Sequence, residues 1–180
     1  MDLWLDLLNS DWHDYRGSGR REDRLDDPAW LSRYLSRWPD GLRGVPADEV
    51  RAALKTLRSV LRATVDRLAA NKPVPENLWT RLNACLAGCP VVRRVGRGPR
   101  GYVLDLVPLA GGLKKLTAEI AESFCSALTR GGAARIKVCD NKDCLWVFYD
   151  RSKNRSRRWC EGDSGCGNMM KVRRFRARKR

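Results

Sequence analysis

Four cysteines within 28 residues, Cys139-x4-Cys144 and Cys160-x5-Cys166, constrain what the last quarter of this chain can fold into. Zinc takes four thiolates in a tetrahedron at ~2.3 Å, and two short cysteine loops brought together by a hairpin supply such a set. A segment this small has little apolar core, so the metal must contribute much of its folding energy. Four thiolates also close the coordination shell, which leaves no open position for a substrate or an activated water. The expectation is therefore one structural Zn2+ held by Cys139, Cys144, Cys160 and Cys166. Between the pairs, Leu145–Tyr149 has strand character, Asp150–Asn154 is a turn, and Arg157–Trp159 is expected to return as a second strand. Cys166-Gly167-Asn168 then opens a helix toward Arg180. Knuckle, hairpin and a ligand at a helix start give a treble-clef-like order.

Charge is concentrated in the same region. The chain carries a net +15, and residues 135–180 hold 15 Lys/Arg against 5 Asp/Glu. A GC-rich codon bias accounts for the excess of Arg over Lys but not for its segregation, which points to a polyanionic partner. Candidate phosphate contacts are Arg151, Lys153, Arg155, Arg157 and Arg158 near the turn. On the terminal helix they are Lys171, Arg173, Arg174, Arg176 and Arg178, with Lys179 and Arg180 beyond. Met169, Val172 and Phe175 recur at three-residue steps and are expected to pack on the zinc hairpin. Two plainer readings stand beside this one. Four thiolates and Zn2+ sum to −2, so Arg157, Arg158 and Lys171 equally suit neutralisation of the centre, and a basic terminal helix equally suits simple solvation. Trp146, Phe148, Tyr149 and Trp159 are candidates for base stacking or for core.

The rest of the chain is patterned for helices. Val50, Leu54, Leu57, Leu61, Val65 and Leu68 define an amphipathic helix from about residue 46 to 70. Asp27-Pro28 opens a shorter one closed by Pro39-Asp40-Gly41, and further helices are expected over 76–88 and 113–128. Val91–Val95 and Tyr102–Val107 are strands around Gly96-Arg97-Gly98-Pro99-Arg100-Gly101. That string fits the dinucleotide-binding pattern literally, but a strand follows it where the pyrophosphate site needs a helix N-terminus, so it is a turn. Leu3–Ser10 is compatible with strand or helix, and residues 16–27 form a polar loop. Cys85, Cys89 and Cys125 suit core packing. Gly131-Gly132 ends the last of these helices, giving an α+β chain with a mainly helical domain over 1–132, bearing a small β-hairpin, and a zinc finger over 133–180.

Several function classes drop out. A lone histidine, His13, excludes His-rich metal and nuclease sites. The apolar runs fall short of the ~18 residues a membrane span needs. Met1-Asp2-Leu3-Trp4 places an acid where an export signal carries basic residues, so a cytoplasmic chain with reduced cysteines is expected. Asp6, Asn9 and His13 offer no positioned nucleophile, and the chain is not expected to be an enzyme. Trp4, Trp12, Tyr15, Trp30, Tyr34 and Trp38 form an aromatic set suited to core or to a small ligand.

The stretch Cys139-x4-Cys144-x3-Phe148-x-Asp150-x-Ser152-x2-Arg155-x-Arg157-Arg158-Trp159-Cys160-x5-Cys166-Gly167-Asn168 closely resembles the CGNR zinc finger. Upstream, Leu5-Asp6-Leu7-Leu8-Asn9-Ser10 is similar to the opening of the ABATE domain, the usual partner of that finger in stress-induced bacterial transcription regulators. The Arg51–Arg67 helix, Leu82-Asn83 and the closing amphipathic helix follow in that domain's order. The resemblance implies DNA binding through the finger; the early aromatic set adds the expectation that the N-terminal domain senses a small ligand or self-associates as a homodimer. A zinc-stabilised adaptor for RNA or protein is the alternative. The name-motif of the finger ends in Arg, where this chain has Met169.

Overall fold

The computed structural model describes residues 2–39, 41–160 and 165–178. Leu3–Leu8 is helix α1, which turns Trp4, Leu7 and Leu8 inward. Asp11–His13 (β1) pairs antiparallel with Arg21–Asp23 (β2), and a 3-10 turn over Arg24–Asp26 sinks Leu25 into the core. The 16–27 segment expected as a polar loop thus contains β2 and the 3-10 turn, elements of three residues each that are too short to show a period. Helix α2, Pro28–Leu35, starts where Pro28 occupies the first turn and the Asp27 carboxylate accepts from the Ala29 N–H at 2.9 Å. Asp40, expected in the turn after it, lies outside the described residues.

Helix α3, Ala47–Ala69, buries Val50, Leu54, Leu57, Leu61 and Val65 along one stripe, as their spacing predicts. Helix α4, Glu76–Ala87, adds Leu78 and Leu82, and helix α5, Gly112–Gly131, adds Leu116, Ile120 and Phe124. Trp4 meets the edge of Phe124 at 5.3 Å between centroids. Cys89 is buried, and Cys85 and Cys125 pack against this core. Strands β3 (Val91–Gly98) and β4 (Gly101–Pro108) form a long antiparallel hairpin around Pro99-Arg100.

Strand β5, Ile136–Val138, pairs antiparallel with β6, Val147–Tyr149. The hairpin therefore closes around the first cysteine pair. Arg157–Trp159 does not return as a strand; instead the Arg158 carbonyl accepts from the Asp140 N–H at 2.9 Å. The 150–157 segment is held by side chains, as described below. The treble-clef-like order survives, because Cys166 begins helix α6, Cys166–Arg178. Val172 and Phe175, expected to be covered by the hairpin, are 40% and 59% exposed. The first turn of α6 makes the contact: a Cβ on Gly167 would lie 3.7 Å from the Trp159 ring.

One hydrophobic cluster runs through α1, α3, α5 and the β5–β6 hairpin, since Ile136 and Val147 are buried in it. Asn9, itself buried, locks that seam: its amide donates to the Val147 carbonyl and its carbonyl accepts the Val147 N–H, both at 2.9 Å. At the end of α5, a side chain at Gly131 would collide with the Tyr149 hydroxyl, so glycine is required where the helix meets β6. No helix among the described residues is long and apolar enough to cross a membrane.

Candidate metal centre and basic surface

The β5–β6 turn presents Cys139 and Cys144, the segment after Trp159 presents Cys160, and the start of α6 presents Cys166. All four sulfurs lie within 4.8 Å of one another. Sγ of Cys144 and Cys160 are 3.7 Å apart, too long for a disulfide near ~2.05 Å. Four sulfurs ~2.3 Å from a tetrahedral centre stand ~3.8 Å apart, so the spacing fits zinc. The cluster is buried, with Phe148 among the sulfurs and Tyr15, Trp146 and Trp159 around them. Thiol hydrogen bonds from Cys144 and then Cys160 hold the Cys139 sulfur well below its ordinary range. Contact with Cys139 and Cys160 pushes Cys144 up. Four thiolates this close need a shared cation, and one structural Zn2+ bound by these cysteines answers that need.

Asn141, 1% exposed, sits behind the cluster. Its side-chain N–H groups lie 3.5 Å from the Cys166 sulfur and 2.8 Å from the Tyr15 carbonyl, tying the metal site to the loop after β1. Sequence spacing did not single out Asn141, because one polar residue inside a knuckle carries no periodic signal.

A second organising pair was also missed. Asp150 is completely buried, and its carboxylate accepts from Lys137 Nζ at 2.8 Å, the Ser152 hydroxyl and N–H, and the Arg157 N–H at 3.0 Å. Burial pushes its pKa up, but Lys137 and these donors outweigh burial and hold it well below the usual carboxylate range. Lys137 also donates to the carbonyls of Arg155 and Arg157. The backbone is bent tightly enough that Arg155 takes a φ of +51°, in the left-handed region. This knot displays the basic side chains of residues 151–158.

The ten basic candidates divide into two groups. Arg151 reaches Asp2 at 2.7 Å, Arg158 reaches Asp140 at 2.6 Å, and Arg173 reaches Asp143 at 3.1 Å. Half-buried Arg157 stacks on Phe148 at 4.7 Å, and Arg158 and Arg174 both lie over Trp159, at 5.3 and 5.8 Å. The second group, Lys153, Arg155, Lys171, Arg176 and Arg178, projects exposed side chains. Lys179 and Arg180 lie outside the described residues. Of the stacking candidates, Phe148 is buried and Trp146, Tyr149 and Trp159 are half-buried.

Residues 1–131 match the ABATE family, described as "Putative stress-induced transcription regulator", and residues 135–179 match the CGNR zinc finger. The chain belongs to the ABATE family and ends in a CGNR finger. Met169, which replaces the Arg of the finger's name-motif, is half-buried on α6. A comparison with curated proteins finds no match.

In the ABATE region, Trp4, Tyr34 and Trp38 are core, whereas Trp30 and Tyr34 stack at 5.1 Å beside an open cleft of about 240 Å3. Arg24, Arg33 and Arg37, with Asp6, line it together with Trp146 of the finger. Asp6 is paired with Arg37 at 2.6 Å, and His13 lies 3.4 Å from Asp11.

Proposed function

We propose that this ABATE–CGNR protein is a cytoplasmic transcription regulator that binds duplex DNA through its finger, and that it has no catalytic role. One observation carries the reading: the zinc-held loop and α6 share Trp159, flanked by Arg158 and Arg174, so their exposed cations form one positive surface. The exposed ion pairs of Arg151, Arg158 and Arg173 are worth only ~0–1 kcal/mol each and yield easily to phosphate. Phosphate contacts of this kind supply affinity and register.

The test is selection of duplex fragments by zinc-loaded protein near physiological salt, followed by a variant with Lys153→Glu, Arg155→Glu, Lys171→Glu and Arg176→Glu. Enrichment of a shared site, and a loss of affinity with a salt slope reduced by about one per lost contact, supports the reading. Unchanged affinity and slope in a folded, zinc-loaded variant overturns it. Preference for structured RNA or an acidic protein moves the finger to an adaptor role.

The ABATE region serves this reading as a sensor. Its cleft combines three guanidiniums and one carboxylate with the Trp30–Tyr34 stack, which suits a planar anion, and Trp146 carries occupancy to the finger. With a nucleoside monophosphate as probe, a rise in Tm that disappears in Arg33→Ala supports sensing here. No rise with such anions removes it.

A further inference from the structure

The β3–β4 hairpin buries almost nothing. Val95 is 70% exposed, Tyr102 77% and Leu104 64%, and Val91, Val92, Val103 and Leu106 are exposed as well. Among its large side chains only Val107, at the base, is half-buried. A two-stranded ribbon is marginal alone in water, and contiguous exposed apolar surface on this scale marks an interface.

Register tells which part of the ribbon is open. The pairs are Arg97 with Tyr102, Val95 with Leu104, Arg93 with Leu106 and Val91 with Pro108. Directly opposed residues share a face, so Tyr102, Leu104 and Leu106 form an apolar row along β4, beside Val91, Arg93, Val95 and Arg97 on β3. A two-residue turn makes Gly98 and Gly101 a hydrogen-bonded pair, and alternation from there leaves the N–H and C=O groups of Tyr102, Leu104 and Leu106 pointing away from β3. The bond from the Leu109 N–H to the Pro90 carbonyl, 2.8 Å, falls on the same alternation. So does Pro108, which has no N–H to offer.

The two edges differ in charge. Strand β3 carries Arg93, Arg94 and Arg97, the usual guard against edge pairing. Strand β4 carries only Asp105, whose position lies across from Arg94 of the same hairpin. Apolar, unguarded and open, β4 has the chemistry of its own complement.

We propose that β4 is a dimerisation edge, pairing antiparallel with β4 of a second copy about a two-fold axis at Leu104. Leu104 then meets Leu104 of the partner subunit, and Tyr102 meets the partner's Leu106. Each outward N–H and C=O finds a mate, and six large apolar side chains line up at the centre of a four-stranded sheet. The arginines of both copies fall on the outer strands, where they do not oppose one another. The apolar side chains of one hairpin offer on the order of 500 Å2, less than the ~800 Å2 per partner of a standard interface, so a weak, concentration-dependent dimer is expected. The proposal does not depend on DNA binding.

The test is molar mass by light scattering and analytical ultracentrifugation of the zinc-loaded chain between about 1 and 100 µM, with hydrogen exchange on the same samples. The expected result is a concentration-dependent rise from the 20.5 kDa chain mass to twice that value, with the Leu104 and Leu106 amides gaining at least tenfold protection. Leu104→Lys should return the chain to monomer at 100 µM. Tyr102→Lys is a second variant in case the first disturbs the ribbon, and circular dichroism of the helices checks both folds. A monomer throughout the range overturns the proposal. So does a dimer in which these amides exchange freely, or one that survives both substitutions.

Discussion

Where α1, α3 and α5 bury Trp4, Leu54, Leu61 and Phe124 against one another, the finger's own buried cluster consists of four cysteines and Phe148. The first region is stabilised by apolar area and needs no ion. The second has about one large apolar side chain at its centre and depends on thiolate–metal bonds. The join between them is neither: Ile136 and Val147 lie in the ABATE core, while Asn9 and Asn141 tie backbone across the boundary with hydrogen bonds. A metal-held module can thus be oriented rigidly when its hairpin is anchored outside its own metal site.

Removing the metal should separate the two regions most strongly. Zinc supplies on the order of 10 kcal/mol to isolated fingers, so chelation or Cys166→Ser should expose residues 139–178 to protease while α3 and α5 stay helical by circular dichroism. Collapse of the whole chain on chelation would show that the two regions form one cooperative unit.

Next comes the Lys137–Asp150 pair. Lys137→Met strands a buried carboxylate and should cost about 3–5 kcal/mol by denaturant melting, and Asp150→Asn on that background, which removes the charge and keeps an acceptor for the Ser152 and Arg157 N–H groups, should restore part of the loss. At the seam, Asn9→Ala leaves two backbone groups of Val147 without partners and should cost about 1–3 kcal/mol, seen as separate melting of finger and helices.

A pH effect is smaller. Burial raises the pKa of Asp23, but Arg58, the Leu25 N–H and Lys55 pull it down from 3.8 to about 2. A depressed carboxylate contributes stability that is present above its unfolded value and lost as pH falls through the folded one. Melting in acid should therefore show a loss between about pH 4 and 2 that Asp23→Asn reduces, with the buried Asp150 supplying a further acid-sensitive share. Arg151→Ala, which removes an exposed pair with Asp2, should change stability by less than about 1 kcal/mol.

Long periodic elements were legible in the sequence. The α3 stripe, the β3–β4 hairpin and the four ligands follow from spacing that one residue type repeats. What was hidden depended on single residues meeting across the fold. Pairing of β5 with β6 rests on three residues each, and the expected strand at Arg157–Trp159 was displaced by hydrogen bonds from Lys137 and Asp150 that no local pattern encodes. Asn9 stands within the Leu5–Ser10 motif, yet its partner Val147 lies 138 residues away and meets it only in the folded chain. Val172 and Phe175 show the reverse case: a helical period is present, yet both side chains stay exposed.

The most direct measurement is a cobalt titration of the metal-free chain, following thiolate-to-metal absorption and duplex DNA affinity in the same samples. The account predicts a tetrahedral four-thiolate spectrum that saturates at one equivalent per chain, with DNA affinity rising in step. DNA affinity that is already complete without metal, or saturation at a different stoichiometry, would contradict a zinc-held platform as the DNA-binding surface.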